Sequence, residues 1–464
     1  MKIPPVKGTR DFYPPEMAVR NWIIDGWKKV SVRNGFEEYD GPIFEYLKMF
    51  QIKSGDEIVE QLFSLQDRGG RDLALRPEIT PTLARMVNQR INSLPKPIKW
   101  FSVPRLFRAE RPQKGRLREF FQWNIDIIGV ESVLADAEVI LTTLDFLREV
   151  GLTSRDIQVK ISSRKLLSLF LTRLGIPAGR LEAIYSVLDK KNKLPSETFE
   201  QMLEEQVQDK KTLNKIIDFM TVDSMPQLEE LVKAEDDEFA VYNEIIQVLA
   251  CLGIMGVDDF CKYEPSIVRG LAYYTGIVFE VHAVGSELRA ICGGGRYDNL
   301  LRDFDGPSET ATGMGMGDCV LEILLREKGL LDKNIAKKQI DYFVFCVDRI
   351  ASYKAVELVM KLRQKDIRAD FSYAGLPTLL EQPSDQDGAV ALAAELRRLG
   401  WKSNFTYNLA SLSKQLKQAS AQKARKFIII GEEFLENNQL IVKDMATGEQ
   451  ELVNIAEFMS RLKA

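Results

Sequence analysis

Histidine is almost missing from the 464-residue chain: His282 is the only one. A Ser-His-Asp triad would have to use it, and no HExxH pair exists. His282 follows the strand-like "IVFEV" and precedes a turn, a setting that fits a structural role. Cysteine is scarce as well. Cys251, Cys261, Cys292, Cys319 and Cys346 form no CxxC pair and are odd in number, which argues against a disulfide framework and against a zinc ribbon. No apolar run is long enough to span a bilayer, and "MKIPPVKGTRDFYPPEM" has no apolar signal-peptide core. A soluble, cytoplasmic protein with no membrane partner is expected. Nor is there an excess of positive charge. The net charge of −4 argues against broad coating of nucleic acid but leaves room for a local phosphate track. Any catalysis must rest on Arg, Glu, Asp, Gln, Tyr or backbone, and no metal-ligand set is apparent.

The length is too great for one core, so two or three domains are expected. Residues 14 to 33 read as a helix opened by Pro14 and Pro15. "GFEEYDGPIFEY", "LFSLQDRGGRDLALRPEIT", "KPIKWFSVPRLFRAE" and "REFFQWNIDIIG" then read as short strands of an antiparallel sheet. From about 165 to 260 the text is helical and highly charged, and strands return at "SIVRGLAYYTGIVFEVHAV". This gives one domain over 1–330, interrupted by a helical insertion. After "DKNIAKKQ", strands and helices alternate over 338–464, as in an α/β domain. Within it, Ala355 to Tyr373 resembles Ala389 to Tyr407. That is either an internal duplication or two similar helix–strand pairs on one sheet.

The most informative stretch is "FRAERPQKGRLREFFQWNIDIIG", residues 107 to 129. Strand side chains alternate faces, so Phe121, Trp123, Ile125 and Ile127 share one face and Phe120, Gln122, Asn124 and Asp126 the other. Arg108 and Glu110 share a face of the preceding strand. The pair would present Arg, Glu, Phe, Gln and Asp to one cleft. The alternative is a solvated sheet face, which antiparallel sheets often have. Arginine grips phosphate or carboxylate bidentately, and Phe120 can stack on a base. The intervening loop, with Arg111, Lys114, Arg116 and Arg118 around Gly115, suits a flexible arm on a nucleic-acid backbone.

This stretch resembles motif 2 of class II aminoacyl-tRNA synthetases in its histidyl form. "KGTRDFYPPEM" resembles that family's opening, and "GFEEYDGPIFE" its motif 1 dimer strand with Pro42. "LRPEIT" is similar to its amino-acid-binding turn. "VRGLAYYTGIVFE" and "AICGGGRYDNL" resemble its two histidine signatures, and residues 411–450 its anticodon-binding domain. The resemblance implies an α+β catalytic domain on an antiparallel sheet, the helical insertion, and a C-terminal α/β anticodon-binding domain. It implies a homodimeric ligase acting on L-histidine, ATP and tRNA(His), with Mg²⁺ carried mainly on the ATP phosphates.

Residue by residue, the resemblance assigns Glu78 and Thr80 to the α-ammonium of histidine, Ile79 to the histidine site and Gln122 to placing the amino acid. Asp126 faces the imidazole, at a position where the family often has Glu. Tyr273 and Tyr274 close the imidazole pocket, and Gly293, Gly294 and Gly295 let backbone approach the ligand. Arg108 and Arg269 flank the α-phosphate; Phe120 stacks on adenine with Glu110 at its edge, and Arg116 is a further ATP contact. Arg111, Lys114, Arg118, Lys414 and Lys417 are assigned to tRNA. Taken singly, Glu78 also reads as a turn cap, the tyrosines as core aromatics and the glycines as a tight turn. Two positions depart from the family pattern: Ala272, where Asp is usual, and Val320, where the motif 3 arginine grips the γ-phosphate. The rival reading is a non-catalytic, synthetase-like regulatory subunit of ATP phosphoribosyltransferase.

Overall fold

Alternation of apolar and polar residues decides which side of each strand becomes core. The computed structural model describes residues 3–52, 61–191, 194–207, 209–268, 273–331, 342–346, 358–365, 367, 369–371, 412–421, 423–430 and 432–461. It divides into two units, Met1–Ile335 and Ala336–Ala464. The strands of the first are β1 (Glu37–Glu38), β2 (Phe44–Tyr46), β3 (Ser64–Gln66), β4 (Asp72–Leu75), β5 (Ile98–Ser102), β6 (Arg105–Phe107), β7 (Glu119–Ile128), β8 (Ile157–Ser163), β9 (Cys261–Tyr263), β10 (Ile277–Ala283), β11 (Cys292–Arg296) and β12 (Ala311–Gly317). The large sheet runs β1-β5-β7-β12-β11-β10-β8-β9, with β6 pairing beside β7. It is antiparallel apart from its two ends, where β1 pairs with β5 and β8 with β9 in parallel. β2, β4 and β3 form a separate small sheet.

One face of the large sheet is apolar. Trp123, Ile125 and Ile127 of β7 are 0%, 0% and 2% exposed, and they pack on the helices Pro14–Arg33 and Leu134–Glu149. Trp27 stacks on Trp123, whose indole Nε1–H donates to Ser31 Oγ at 2.8 Å, whereas the Nε1 of Trp27 is buried with no hydrogen-bond partner among the described residues. The region 165–260 is helical, as its sequence indicates, from Arg164–Arg173 to Asp236–Ile254. Ser163 and Asp209 cap two of these helices by accepting from Leu166 N and Thr212 N. The insertion has no separate core: Phe170, Phe219 and Ile245 belong to the same apolar cluster as Trp123.

Two expectations need correction. "KPIKWFSVPRLFRAE" is not one strand. Pro104 has no N–H to give, so pairing breaks between β5 and β6, and Arg108 and Glu110 lie beyond the end of β6. In the second unit, strands β13 (Tyr342–Cys346), β14 (Ala369–Phe371), β15 (Lys426–Ile430), β16 (Gln439–Asp444) and β17 (Gln450–Asn454) form a sheet ordered β14-β13-β15-β16-β17. Its first three strands are parallel, as α/β alternation predicts, but β15, β16 and β17 are antiparallel neighbours. The turn between β16 and β17 is set by Asp444, which accepts from Ala446 N and Thr447 N, and by Gly448 at φ 79. The 389–407 half of the possible repeat lies outside the described residues.

A buried ion pair ties β11 to the helix behind it. Arg296 Nε donates to Asp136 at 3.0 Å, and its other nitrogens donate to Val130 O and Ser132 O. Their side chains are 8% and 1% exposed. Burial pushes the Asp136 carboxyl up, and Arg296 pulls it back. Removing one partner strands the other charge. Arg296→Met is therefore expected to cost roughly 3–5 kcal/mol, read from urea unfolding. A shift below about 1 kcal/mol would mean that Asp136 finds another partner.

Candidate active site

The candidate site is floored by glycines on one face of two neighbouring strands. Directly opposed residues share a face, and the register gives one row of Asn124, Gly315, Gly293 and Glu280. The adjacent row is Trp100, Asp126, Gly313, Gly295 and Val278. Gly293, Gly295, Gly313 and Gly315 thus leave a bare strip down the middle of the polar face. A Cβ at Gly313 would sit 2.1 Å from Asp126 Oδ1, and one at Gly315 3.0 Å from the Gln122 side chain. Gly294 points the other way, where a Cβ would sit 2.1 Å from Gly313 O. Its smallness serves the packing of strands rather than a ligand.

One end of this trough is closed by tyrosines. Asp126 is 3% exposed, and Tyr297 donates its hydroxyl to Oδ1. Oδ2 of Asp126 and the hydroxyl of Tyr39 are buried and have no hydrogen-bond partner among the described residues. Tyr273 stands edge-on to Tyr297 at 5.7 Å, lies 5.0 Å from Tyr274, and donates to Glu78 Oε2 at 3.3 Å. Burial raises the Asp126 carboxyl to about 7, and the Tyr297 hydroxyl holds it from going higher. Burial and the Asp126 charge push the Tyr39 and Tyr297 hydroxyls well up, so both stay protonated donors. A bare carboxylate oxygen beside a protonated phenol in an aromatic pocket is complementary to a flat, polar N–H-bearing ring. Glu78, Ile79 and Thr80 lie at the start of the helix Thr80–Arg90. Glu78 and Ile79 are buried and Thr80 half-buried.

The other end is open and basic. Arg108 lies over the Phe120 ring at 5.2 Å and is held by Nε donating to Pro77 O at 3.1 Å. Phe120 and Gln122 are half-buried on the trough face. Arg116 pairs with Glu110. The expected flexible arm is folded down: Gln113 and Arg116 close a turn, Lys114 pairs with Glu327 at 3.1 Å, and a Cβ on Gly115 would meet Val320 Cγ2 at 3.0 Å. Val320, 8% exposed, is therefore packing under the loop tip. Arg118 turns inward, donating from Nε to Glu110 O at 3.0 Å and from N to Gly8 O at 2.8 Å, while Arg111 and Lys114 are exposed.

Arg269 and Ala272 lie outside the described residues. Lys414 and Lys417 are exposed on the helix Leu412–Ala421 of the second unit. Lys423 is past the end of that helix, at φ 54, and so does not extend the lysine face. Sequence reading missed Tyr297 and Tyr39. Tyr297 stands two residues beyond the glycines that were singled out, and only the fold shows its hydroxyl reaching Asp126. It also missed Asp318, which accepts from Phe121 N at 3.0 Å and pairs with Arg10, fixing the start of β7.

Comparison with known proteins gives the following. Residues 8–317 match the family model described as histidyl-tRNA synthetase, and residues 378–464 match the anticodon binding domain. The chain is 35% identical over 453 residues to the chloroplastic/mitochondrial histidine–tRNA ligase of Arabidopsis thaliana, covering 98% of this chain and 85% of that one. It is 34% identical to the histidine–tRNA ligase of Thermoplasma volcanium, covering 100% of this chain and 99% of that one. Its fold matches the crystal structure of histidyl-tRNA synthetase from Nostoc sp. PCC 7120 with a TM-score of 0.79 at 23% identity, over 100% of this chain and 99% of that one.

Asp126 makes stability depend on pH. The carboxyl titrates at about 7 in the fold, and near ~4 in an unfolded chain. Between those values the folded protein keeps a proton that the unfolded chain has released. The contribution is therefore fully present below pH ~4 and is lost as pH rises through about 7. At pH ~8 the buried carboxylate costs roughly 2–4 kcal/mol. Asp126→Asn should raise stability at that pH and flatten the profile between, read from urea midpoints of the ligand-free protein. An unchanged midpoint at the higher pH would show that the carboxylate is solvated in the empty site.

Proposed function

The chain belongs to the histidyl-tRNA synthetase family, and we infer that its trough is the site of a histidine–tRNA ligase. The enzyme activates L-histidine with ATP to histidyl-adenylate, releases diphosphate, and transfers histidine to the 3′ end of tRNA(His), releasing AMP. The observation that carries the site assignment is the bare Oδ2 of Asp126 in a tyrosine pocket, at one end of a side-chain-free strip that leads to Arg108 and Phe120. An imidazole N–H donating to Oδ2 satisfies an otherwise unpaired buried oxygen and stabilises its charge. Glu78, with Ile79 and Thr80, holds the ammonium, Gln122 places the carboxylate, and the glycines admit the ligand to the backbone.

The first step is carboxylate attack on the α-phosphorus. Negative charge builds on the phosphoryl oxygens, and fixed guanidiniums stabilise it without a protein base. Arg108 supplies one and Arg269 the other in this reading. Phe120 stacks on adenine, and Glu110 meets its edge. Arg116 exchanges Glu110 for the γ-phosphate, a task that Val320 beneath the loop cannot do. Mg²⁺ enters on the ATP phosphates as part of that substrate; among the described residues no group of three or more His, Cys, Asp or Glu side chains is gathered to hold a metal. Arg111 and Lys114 contact the tRNA acceptor end, with Arg118 bracing their loop. Lys414 and Lys417 contact the anticodon arm. Ile43, Phe44, Tyr46 and Leu65 are 47%, 55%, 57% and 46% exposed, a patch that fits a homodimer contact. No helix among the described residues is long and apolar enough to cross a membrane, and we place the enzyme in the cytoplasm.

The rival, a synthetase-like regulatory subunit, has less support: residues 378–464 match an anticodon-binding module, which a regulator of a small-molecule transferase has no use for. Histidine-dependent ATP–diphosphate exchange separates the two. The purified enzyme should catalyse it. Arg108→Lys, which loses the bidentate fork, should slow it at least tenfold, or about 1.4 kcal/mol. Lys114→Ala should lower tRNA charging more than exchange, and should reduce the salt slope of tRNA binding by about one. No exchange by the unmodified enzyme would remove the ligase reading. Equal losses in both assays would remove the loop from tRNA recognition.

A further inference from the structure

The trough has two walls, and the adenylation reading uses one. β7 presents Asp126, Asn124, Gln122 and Phe120. Across the glycine strip, β10 presents Val278, Glu280 and His282 on the same face, since Glu280 opposes Gly293, Gly293 opposes Gly315, and Gly315 opposes Asn124. Three strand spacings separate the walls, roughly 14 Å. Phe279 and Val281, which alternate with this pair, are 1% and 0% exposed in the core. The Glu280 and His282 side chains are 21% and 27% exposed, and His282 Nε2 lies 2.9 Å from Glu280 Oε2. A carboxylate only accepts, so the imidazole Nε2–H is the donor. Above this wall, Arg289 of the β10–β11 connection is exposed and donates to Gln113 Oε1 of the motif 2 loop at 2.9 Å.

Acyl transfer needs a second substrate on the side of the adenylate away from β7. With the imidazole at Asp126 and adenine on Phe120, the adenylate lies along the β7 wall. The acyl carbon is then open toward β10. We propose that Glu280 and His282 seat the 3′-terminal ribose of the tRNA for acyl transfer, Glu280 accepting a hydrogen bond from the hydroxyl beside the attacking one and His282 fixing the Glu280 carboxylate. In that step the attacking hydroxyl oxygen forms the ester bond to the acyl carbon. The bond from acyl carbon to phosphate oxygen breaks, AMP leaves with the electron pair, and the hydroxyl proton passes to the AMP phosphate. Glu280 and His282 bind and orient; neither gains or loses a proton. Arg289 places a cation at the entrance to this wall, where the phosphates of the terminal nucleotides pass.

The proposal rests on the ligase reading and is tested in the full-length enzyme. Histidyl-adenylate is formed first and mixed with tRNA in a single turnover, with diphosphate exchange measured in parallel. In Glu280→Gln the loss in transfer should exceed the loss in exchange by at least roughly tenfold. His282→Gln, which can still donate to Glu280, should lose less than His282→Ala. Transfer is then repeated with tRNA ending in 2′-deoxyadenosine or 3′-deoxyadenosine. One terminus lacks the attacking hydroxyl and takes no histidine; on the other, Glu280→Gln and the unmodified enzyme should transfer at the same rate. Equal losses in transfer and exchange would assign the pair a structural role and overturn the seat. So would unaltered transfer in both Glu280→Gln and His282→Ala, or a gap that persists on the deoxy terminus. Failure of exchange in the unmodified enzyme would instead overturn the ligase reading itself.

Discussion

At Gly293, Gly295, Gly313 and Gly315, two neighbouring strands in the middle of the large sheet carry no side chain on one face, and the groups around them are arranged by that strip. The site proposed above lies on β11 and β12, where Gly293, Gly295, Gly313 and Gly315 put no side chain on the face. The strip also spaces the walls: β7 on one side and β10 on the other contribute the polar groups. A strand without side chains contributes little packing of its own. Its stability comes from the opposite face, where Met314 and Met316 are 4% and 0% exposed, and from Arg296, which anchors the end of β11 to Asp136.

The closed end stores cost for later use. A carboxylate with one bonded and one bare oxygen, beside an unpaired phenol, is an expensive arrangement in an empty protein. The fold tolerates it because Tyr297 and Tyr273 are locked by ring contacts and by the Glu78 hydrogen bond. A ligand that supplies the missing donors recovers that energy, and a ligand of similar shape without them does not. Selectivity by unsatisfied polar groups exceeds what an apolar pocket achieves by size. Asp126 stands where the resemblance expects Glu, and Tyr297 donates to its Oδ1.

The open end is organised by segments far apart in the chain. The stretch from Lys7 to Arg10 clasps the base of the motif 2 loop through Gly8 O and reaches Asp318 through Arg10. Asp318 in turn accepts from Phe121 N, next to Phe120. Val320 packs beneath Gly115 in the place where an arginine is expected, so the loop tip rests on apolar surface. Arg116 of this loop pairs with Glu110. Glu280 and His282 complete the picture as a polar wall that the chemistry of the first step leaves unused.

Local chemistry was legible in the sequence. Alternation in "REFFQWNIDIIG" placed Trp123, Ile125 and Ile127 on the core face and Phe120, Gln122, Asn124 and Asp126 on the other, because strand geometry fixes facing without any partner. The helical insertion followed from its periodicity, and alternation put Gln122, Asp126 and Phe120 on one face, with Arg108 reaching Phe120 from beyond the end of β6. What sequence could not provide were relations set by pairing. β6 ends at Phe107, before Arg108 and Glu110 that read as strand residues, and β16 and β17 pair as a hairpin beside the parallel strands of the α/β unit. Tyr297 reaches Asp126 across 171 residues, and Arg10 reaches Asp318 across 308. Glu280 and His282 looked like the end of an ordinary strand. Only the register across β10, β11, β12 and β7 places Glu280 in the row of Asn124, with His282 two residues along on the same face. The sequence by itself determined which residues each strand offers to which face, since that depends on backbone geometry alone. Which faces meet, at what offset and around which bare strip was decided by hydrogen-bond register and core packing between distant segments, and these exist only in the folded chain.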